Sequence, residues 1–328
     1  MKGKIALEEH FALDETLQDS ARFAPESDWP ELKARLLDIQ DRRLREMDAH
    51  GIDMMLLSLN APAIQAITDQ KRAEDLARRA NDFLAEQVLR RPQRFQGLAA
   101  LPMQTPEAAT RELKRCVADL GFKGALVNGF SDLAGQERAI YYDVKAFWPF
   151  WEEVERLDVP FYLHPRNPRP QDAAIYDGHP WLMGPTWAFG QETAVHALRL
   201  MGSGLFDAYP KLQIILGHMG EGLPYSMWRI DNHNKWMSAQ NRYPAKRTIA
   251  EYFRENFHIT TSGNFRTQTL IDAMLEIGAD RILFSTDWPF ENVDHASIWF
   301  DDATIAEIDR HKIGRGNAMA LFKLDALA

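Results

Sequence analysis

The chain has 328 residues, 45% hydrophobic and 26% charged, with a formal net charge of −9. This is the composition of an ordinary globular protein and excludes a disordered or fibrous chain. The acidic balance speaks against a nucleic-acid partner, which needs a clustered basic surface, and the basic run DRRLRE (41–46) sits among acids at helical spacing and reads as a solvated face. The lone Cys116, in ELKRCVADL, has no partner for a disulfide and lacks the paired cysteines of a structural zinc site, so a buried free thiol in a reducing cytoplasm is expected. MKGKIALEEHF flanks a three-residue apolar run with charges, unlike a secretory leader, and no window approaches the ~20 apolar residues of a membrane span. The expectation is a cytoplasmic protein with no membrane contact.

Short β-rich runs recur, each followed by helical periodicity. KIALEEH (4–10) opens the series, and alternation along it puts Glu8 and His10 on one face and Glu9 on the other. A helix near 30–50, stopped by Gly51, leads to DMMLLSLN (53–60), then to a helix over 70–91. FQGLAALPM (95–103) precedes a helix over 106–120, where Thr105 caps and Pro106 takes the first helical position. GALVNG (124–129) and PFYLHP (160–165) flank a helix over 143–158. LQIILGHMG (212–220), FHITTSG (257–263) and RILFSTDWP (281–289) follow, with helices near 189–208, 222–240, 266–278 and 303–323. Eight strands, each with its helix, give the order of a (β/α)8 TIM barrel in one domain over 1–328, although a doubly wound open sheet alternates similarly. Two long connections, 11–29 and 166–188, would cover the face at the strands' carboxyl ends.

In a barrel, chemistry collects at those ends. Glu8 and His10 end strand one, His164 strand five, His218 strand six and Asp287 strand eight. Each alone reads as a hydrogen-bonded structural group; five at one rim are candidate ligands or acid–base groups. Two carboxylates and two imidazoles with open positions suit one divalent ion, zinc or manganese. Glu9 points towards the helices, where an ion pair is expected. In GHMGEGLPY (217–225), glycines loosen the backbone around His218, and a turn can return Glu221 to its imidazole. His179 is a candidate lid contact; His50, His258 and His311 carry no assigned chemistry.

Glu-x-His after strand one, His after strand five, GHMGE after strand six and STDWPF after strand eight resemble the amidohydrolase superfamily in its decarboxylase branch, which is similar to aminocarboxymuconate-semialdehyde decarboxylase. KIALEEHF, YLHPRNP, WAFGQETAVHALRLMGSGLFD, LGHMGEGLPYSMWRID and TTSGNFRTQTL carry the likeness to hydroxybenzoate decarboxylases, most closely those acting on 2,6-dihydroxybenzoate (γ-resorcylate). Many superfamily members begin with His-x-His and bridge two metals through a lysine on strand four. Here Glu8 replaces the first histidine and strand four ends at Asn128, so a single metal is implied and no organic cofactor. The resemblance implies Glu8, His10, His164 and Asp287 as its ligands, with His218 and Glu221 as an unliganded polar pair. It further implies Phe23 and Phe290 against a substrate ring, and Arg229 and Asn234 near polar substrate groups. The arginine can come from a neighbouring subunit, so a homodimer or tetramer is implied.

The implied reaction is reversible, non-oxidative decarboxylation of a small hydroxylated aromatic acid. Asp287 would protonate the ring carbon, with His218 or water as rival donor, and His218 with Glu221 would handle a phenolic proton. Rival expectations are another ortho-hydroxybenzoate such as 2,3-dihydroxybenzoate, a metal-dependent lactone or ester hydrolase on the same fold, and a non-catalytic barrel that binds aromatic acids.

Overall fold

The computed structural model describes residues 1–22, 24–135 and 137–324. Its centre is an eight-stranded parallel sheet in sequential order. The strands are β1 (Lys4–Phe11), β2 (Ile52–Leu59), β3 (Phe95–Ala99), β4 (Gly124–Asn128), β5 (Phe161–His164), β6 (Ile214–Leu216), β7 (Phe257–Thr260) and β8 (Ile282–Leu283). All eight fall within or beside the runs expected from the sequence, and the parallel order with intervening helices is the (β/α)8 barrel.

Alternation divides each strand between two apolar environments. Ile5, Leu7, Met54, Leu56, Leu98, Leu126, Tyr162, Ile215 and Leu283 fill the interior, joined by Ala318, Phe322 and Leu324 of the C-terminal segment. Side chains of the opposite parity, such as Ala6, Met55, Leu57, Val127 and Leu163, pack under the helices in the larger core. The C-terminal segment thus packs with the barrel interior beneath the strands' carboxyl ends.

One irregularity matters for chemistry. Leu7 faces the interior, so plain alternation would turn Glu8 outward. Instead Ala6 pairs with Met55 and Glu9 with Leu57, three steps on β1 against two on β2. This bulge re-aims the strand so that Leu7, Glu8 and His10 all reach inward while Glu9 turns out.

Helices depart more from expectation. The stretch near 30–50 is two helices, α1 (Trp29–Leu37) and α2 (Arg42–His50), because the Asp38 carboxylate accepts the Asp41, Arg42 and Arg43 N–H groups and restarts the helix. Arg43, read as part of a solvated face, is fully buried. The helix α3 (Gln70–Arg90) and α4 (Pro106–Ala118) lie as expected, with Thr105 accepting the Ala108 N–H. The later helices are α5 (Trp148–Leu157), α6 (Ala188–Gly202), α7 (Leu223–Ala239), α8 (Ile249–Asn256), α9 (Thr267–Ile277), α10 (Val293–Asp302) and α11 (Asn317–Leu321). Two were not expected. The α8 helix opens with a reciprocal capping box between Thr248 and Glu251, a signal present in the sequence; α10 is the first of these helices after β8, ahead of the expected 303–323 helix, which is helical over 307–321 as Glu307–His311, a π-helical stretch Lys312–Gly316 and α11.

Candidate active site

Glu8 lies at the centre, with no exposed surface. Its Oε2 accepts hydrogen bonds from the hydroxyls of Tyr162, Ser262 and, at 3.4 Å, Thr260. Its Oε1 has no hydrogen-bond donor of its own and points at the His164 Nε2, 3.1 Å away, and the His218 Nε2 at 3.6 Å. Tyr162 is two residues before His164, so the strand period itself sets the phenol beneath the imidazole. Burial alone would raise the Glu8 pKa, but the imidazoles of His218, His164 and His10 outweigh it and hold the carboxyl well below its usual range.

His10 is equally buried. Its Nδ1 is 3.2 Å from the Ser58 hydroxyl, which fixes the ring so that Nε2, without a hydrogen-bond partner, faces the Asp287 Oδ1 at 3.5 Å. Its ring meets His164 edge-on at 4.7 Å between centroids and Phe290 at 5.7 Å. Burial lowers the His164 pKa despite Glu8, favouring the neutral imidazole that a cation needs.

The other half of the site is held by backbone in the left-handed region. His218, Met219, Gly220, Glu221 and Gly222 all have positive φ, 51°, 58°, 77°, 55° and 75°. This turn ends β6 and brings the Glu221 Oε1 to 2.8 Å from the His218 Nδ1. Burial opposes charge on His218, but Glu221, Glu8 and Asp287 together push its pKa well up. Asp287 also has positive φ, 64°, and its Oδ2 lies 3.7 Å from the His218 Nε2. Gly217 and Gly263 give the room: a Cβ at 217 would lie 2.8 Å from the Glu8 Oε2, and one at 263 would lie 2.9 Å from the His218 ring.

Candidate ligand atoms of Glu8, His10 and His164 lie within 4.8 Å of one another, as do those of Glu8, His218 and Asp287. Two sets sharing Glu8 can hold a divalent ion, and buried, unpartnered Glu8 Oε1 and His10 Nε2 are what such an ion would satisfy. Above them is a cavity of about 530 Å3 whose walls include Leu32, Phe189, Pro289 and Phe290, with His164, His218 and Asp287 at its floor. The two long connections border it through Ala24, Pro25 and Pro185.

Not every candidate converges here. Phe23 lies outside the described residues. Arg229 and Asn234 are on α7, and neither lines this cavity; Arg229 borders a separate apolar groove with Trp187, Val195 and Tyr225. His179 stays exposed against Trp181. Glu9 does not form the expected ion pair as its main contact: it accepts hydrogen bonds from Ser285, Thr286 and Trp288, while the buried Arg43 acts on it by charge. Burial, against those bonds and that charge, raises the Glu9 pKa to about 7. Tyr162, Ser262, Ser58 and Arg43 escaped the sequence reading, though Tyr162 and Ser58 share the face and period of the strands they sit on.

Residues 10–324 match the amidohydrolase family. The chain is 72% identical over 325 residues to the γ-resorcylate decarboxylase of Polaromonas sp. (strain JS666 / ATCC BAA-500), covering 99% of this chain and 100% of that one. A crystal structure of dihydroxybenzoic acid decarboxylase from Polaromonas sp. JS666, with bound manganese and the inhibitor 2-nitroresorcinol, superposes with a TM-score of 0.98 at 72% identity, over 99% of this chain and 98% of that one. A structure of 2,6-dihydroxybenzoate decarboxylase complexed with 2,6-dihydroxybenzoate superposes with a TM-score of 0.97 at 71% identity, over 99% and 100%. On that evidence and its barrel-end site, the chain belongs to the amidohydrolase family.

Proposed function

We propose that this chain catalyses the reversible, non-oxidative, metal-dependent decarboxylation of 2,6-dihydroxybenzoate to resorcinol and carbon dioxide, in the cytoplasm and as a homo-oligomer. The observation that carries the reading is the cavity floor. Glu8, His10, His164, His218 and Asp287 converge beneath a space walled by Phe189 and Phe290, in a chain 72% identical to a γ-resorcylate decarboxylase.

Glu8, His10, His164 and Asp287 would hold one divalent cation, and the manganese of the Polaromonas relative favours manganese over zinc. When bound, the cation supplies Lewis-acid charge and a template for the substrate's carboxylate and phenolic oxygens. Asp287 delivers a proton to the ring carbon that bears the carboxylate; a ring electron pair forms the new C–H bond, and the ortho hydroxyls stabilise the dearomatised ring. The bond to the carboxylate carbon then breaks, its electron pair restores the aromatic ring, and carbon dioxide leaves. His218, oriented by Glu221, donates a hydrogen bond to a phenolic oxygen of the substrate, which keeps its own proton through to resorcinol. Phe290, beside His10, packs against the ring, and Phe23 joins it by resemblance.

Arg229 and Asn234 serve a neighbouring subunit's cavity. Support comes from the surface on which they sit: Trp187, Val195, Tyr225, Trp228, Trp236 and Met237 are exposed on or beside α6 and α7, with Tyr225 88% exposed. Such an apolar face is what an obligate interface covers. Among the described residues no helix is long and apolar enough to cross a membrane.

The test is the ultraviolet spectrum of 2,6-dihydroxybenzoate with purified protein, before and after chelation and re-addition of Mn2+ or Zn2+. Conversion to resorcinol that follows the metal supports the proposal. Absence of conversion by fully metallated protein overturns the substrate assignment, and trials on 2,3-dihydroxybenzoate and on lactones then separate the rivals. In deuterated water, decarboxylation places the label on the ring carbon, whereas hydrolysis places none there.

A further inference from the structure

The sheet pairs β1 through β8 in order, but among the described residues no ladder joins β8 back to β1. This seam runs between the strand that carries Glu8 and His10 and the segment that carries Asp287. A site whose parts lie on opposite sides of an unladdered seam needs something else to fix their spacing.

The side chain of Glu9 spans it. Oε1 accepts from the Thr286 N–H at 2.8 Å and the Ser285 hydroxyl at 3.2 Å; Oε2 accepts from the Thr286 hydroxyl at 2.5 Å and the Trp288 N–H at 3.2 Å. These donors bracket Asp287 on both sides, at a residue whose φ is positive. Ser285 also accepts the Glu8 N–H at 2.7 Å, and the His10 N–H donates to the Trp288 carbonyl at 2.6 Å. From the helix layer, Arg43 Nη2 donates to the His10 carbonyl at 2.5 Å, and its guanidinium lies over the Trp288 ring at 5.7 Å. Glu9 and Arg43 are both completely buried. A buried carboxylate that accepts four hydrogen bonds is a rigid brace, and the bulge in β1 is what turns it outward to the seam while Glu8 and His10 turn in.

We infer that Glu9 is a positioning residue: it replaces the missing β8–β1 ladder and sets Asp287 against Glu8 and His10 at the separation one divalent cation requires. The inference rests on the metal-binding part of the proposed function. Glu9 itself touches neither cation nor substrate.

The experiment titrates Mn2+ into metal-stripped protein, following free Mn2+ by electron paramagnetic resonance, for wild type, Glu9→Gln, Thr286→Val and Thr286→Ser. Glu9→Gln presents an amide N–H2 to donors on one side and loses two acceptances. It should weaken Mn2+ binding about 10- to 100-fold, the range for partners that orient ligands, and lower kcat with KM little changed. Thr286→Val removes one donor from the opposite side of the seam without shrinking the side chain and should weaken binding several-fold; Thr286→Ser should restore it. The fold of each metal-free variant is checked by circular dichroism and melting temperature. If Glu9→Gln does not fold, the threonine pair decides. Wild-type Mn2+ affinity in a folded Glu9→Gln and in Thr286→Val overturns the inference, even if melting temperatures fall, because a purely structural residue would move only those. A wild type that binds no Mn2+ or Zn2+ instead overturns the proposed metal site on which the inference stands.

Discussion

Glu221→Gln separates the polar pair from the metal ligands. The Glu221 carboxylate lies 2.8 Å from the His218 Nδ1 and is almost wholly buried. A hydrogen bond with a charged partner is worth about 1.5–3 kcal/mol; if the imidazole needs that partner to orient and to carry its proton in the transition state, kcat falls about 10- to 150-fold. The substitution keeps size and leaves the left-handed φ of 55° no worse served, since Gln and Glu share that preference. Metal content should stay at the wild-type value, because the amide touches none of the four proposed ligands. Turnover is followed by the loss of 2,6-dihydroxybenzoate absorbance and metal by elemental analysis of the same samples. His218→Ala should lower kcat further, again with metal retained. Metal loss in either variant would refute the division of roles and make His218 a ligand, as its place in the second ligand set allows. Unchanged kcat in Glu221→Gln would show that the pair has no part in the rate-limiting step.

Three further outcomes are expected. Metal binding to the folded state should raise the melting temperature as Mn2+ is added, with about 2.7 kcal/mol gained at a hundred times Kd; calorimetry of stripped protein checks it. His196 and His258 are buried neutral, each with its pKa lowered to about 3, chiefly by burial and also by Arg199 and Arg281 respectively. The unfolded chain therefore binds more protons below about pH 6.5, and stability is full above that pH and lost as pH falls towards 3, by roughly 2 kcal/mol per histidine between pH 7.5 and 5; urea unfolding of His258→Asn at the two pH values should show a correspondingly smaller loss. Arg229→Ala and Asp287→Asn should each be inactive alone, and mixing them under conditions of subunit exchange should recover part of the activity if Arg229 serves the partner's cavity; sedimentation of both variants confirms that they still assemble.

Much of this architecture is legible in the sequence because strand ends in a barrel share one rim, so Glu8, His10, His164, His218 and Asp287 could be gathered without any contact being known. GHMGE was legible for the same reason: glycines beside a histidine announce a turn, and the turn closes on Glu221. What was hidden depends on register and tertiary contact. Alternation placed Glu8 and His10 correctly on one face, but only the bulge explains how Leu7 shares it. Arg43 sits in a run that reads as solvated, and nothing in its spacing reveals that the Glu9 charge and the His10 carbonyl draw it inside. Arg229 and Asn234 could be named by resemblance, but that neither lines the cavity of its own chain, and that Arg229 borders a separate groove, appears only in the structure.

The shortness of β6 and β8 has a physical reason of the same kind. A residue in a parallel ladder is confined to extended φ and ψ, and its side chain alternates strictly between core and interior. His218, Glu221 and Asp287 must instead converge from two strands on one point, which extended backbone cannot do. Both strands therefore leave the ladder early, at Leu216 and Leu283, and their continuations enter the left-handed region. Non-glycine residues there cost roughly 1–2 kcal/mol each, and the backbone groups freed from the ladder need partners in a buried setting. Side chains provide them: the Ser262 hydroxyl accepts the His218 N–H, the Thr261 hydroxyl accepts the Ser285 N–H, and Glu9 accepts those of Thr286 and Trp288. The polar residues that crowd ALEEH, TTSG and FSTDW are thus of two kinds, those that face the cavity and those that replace the ladder so that the first kind can face it.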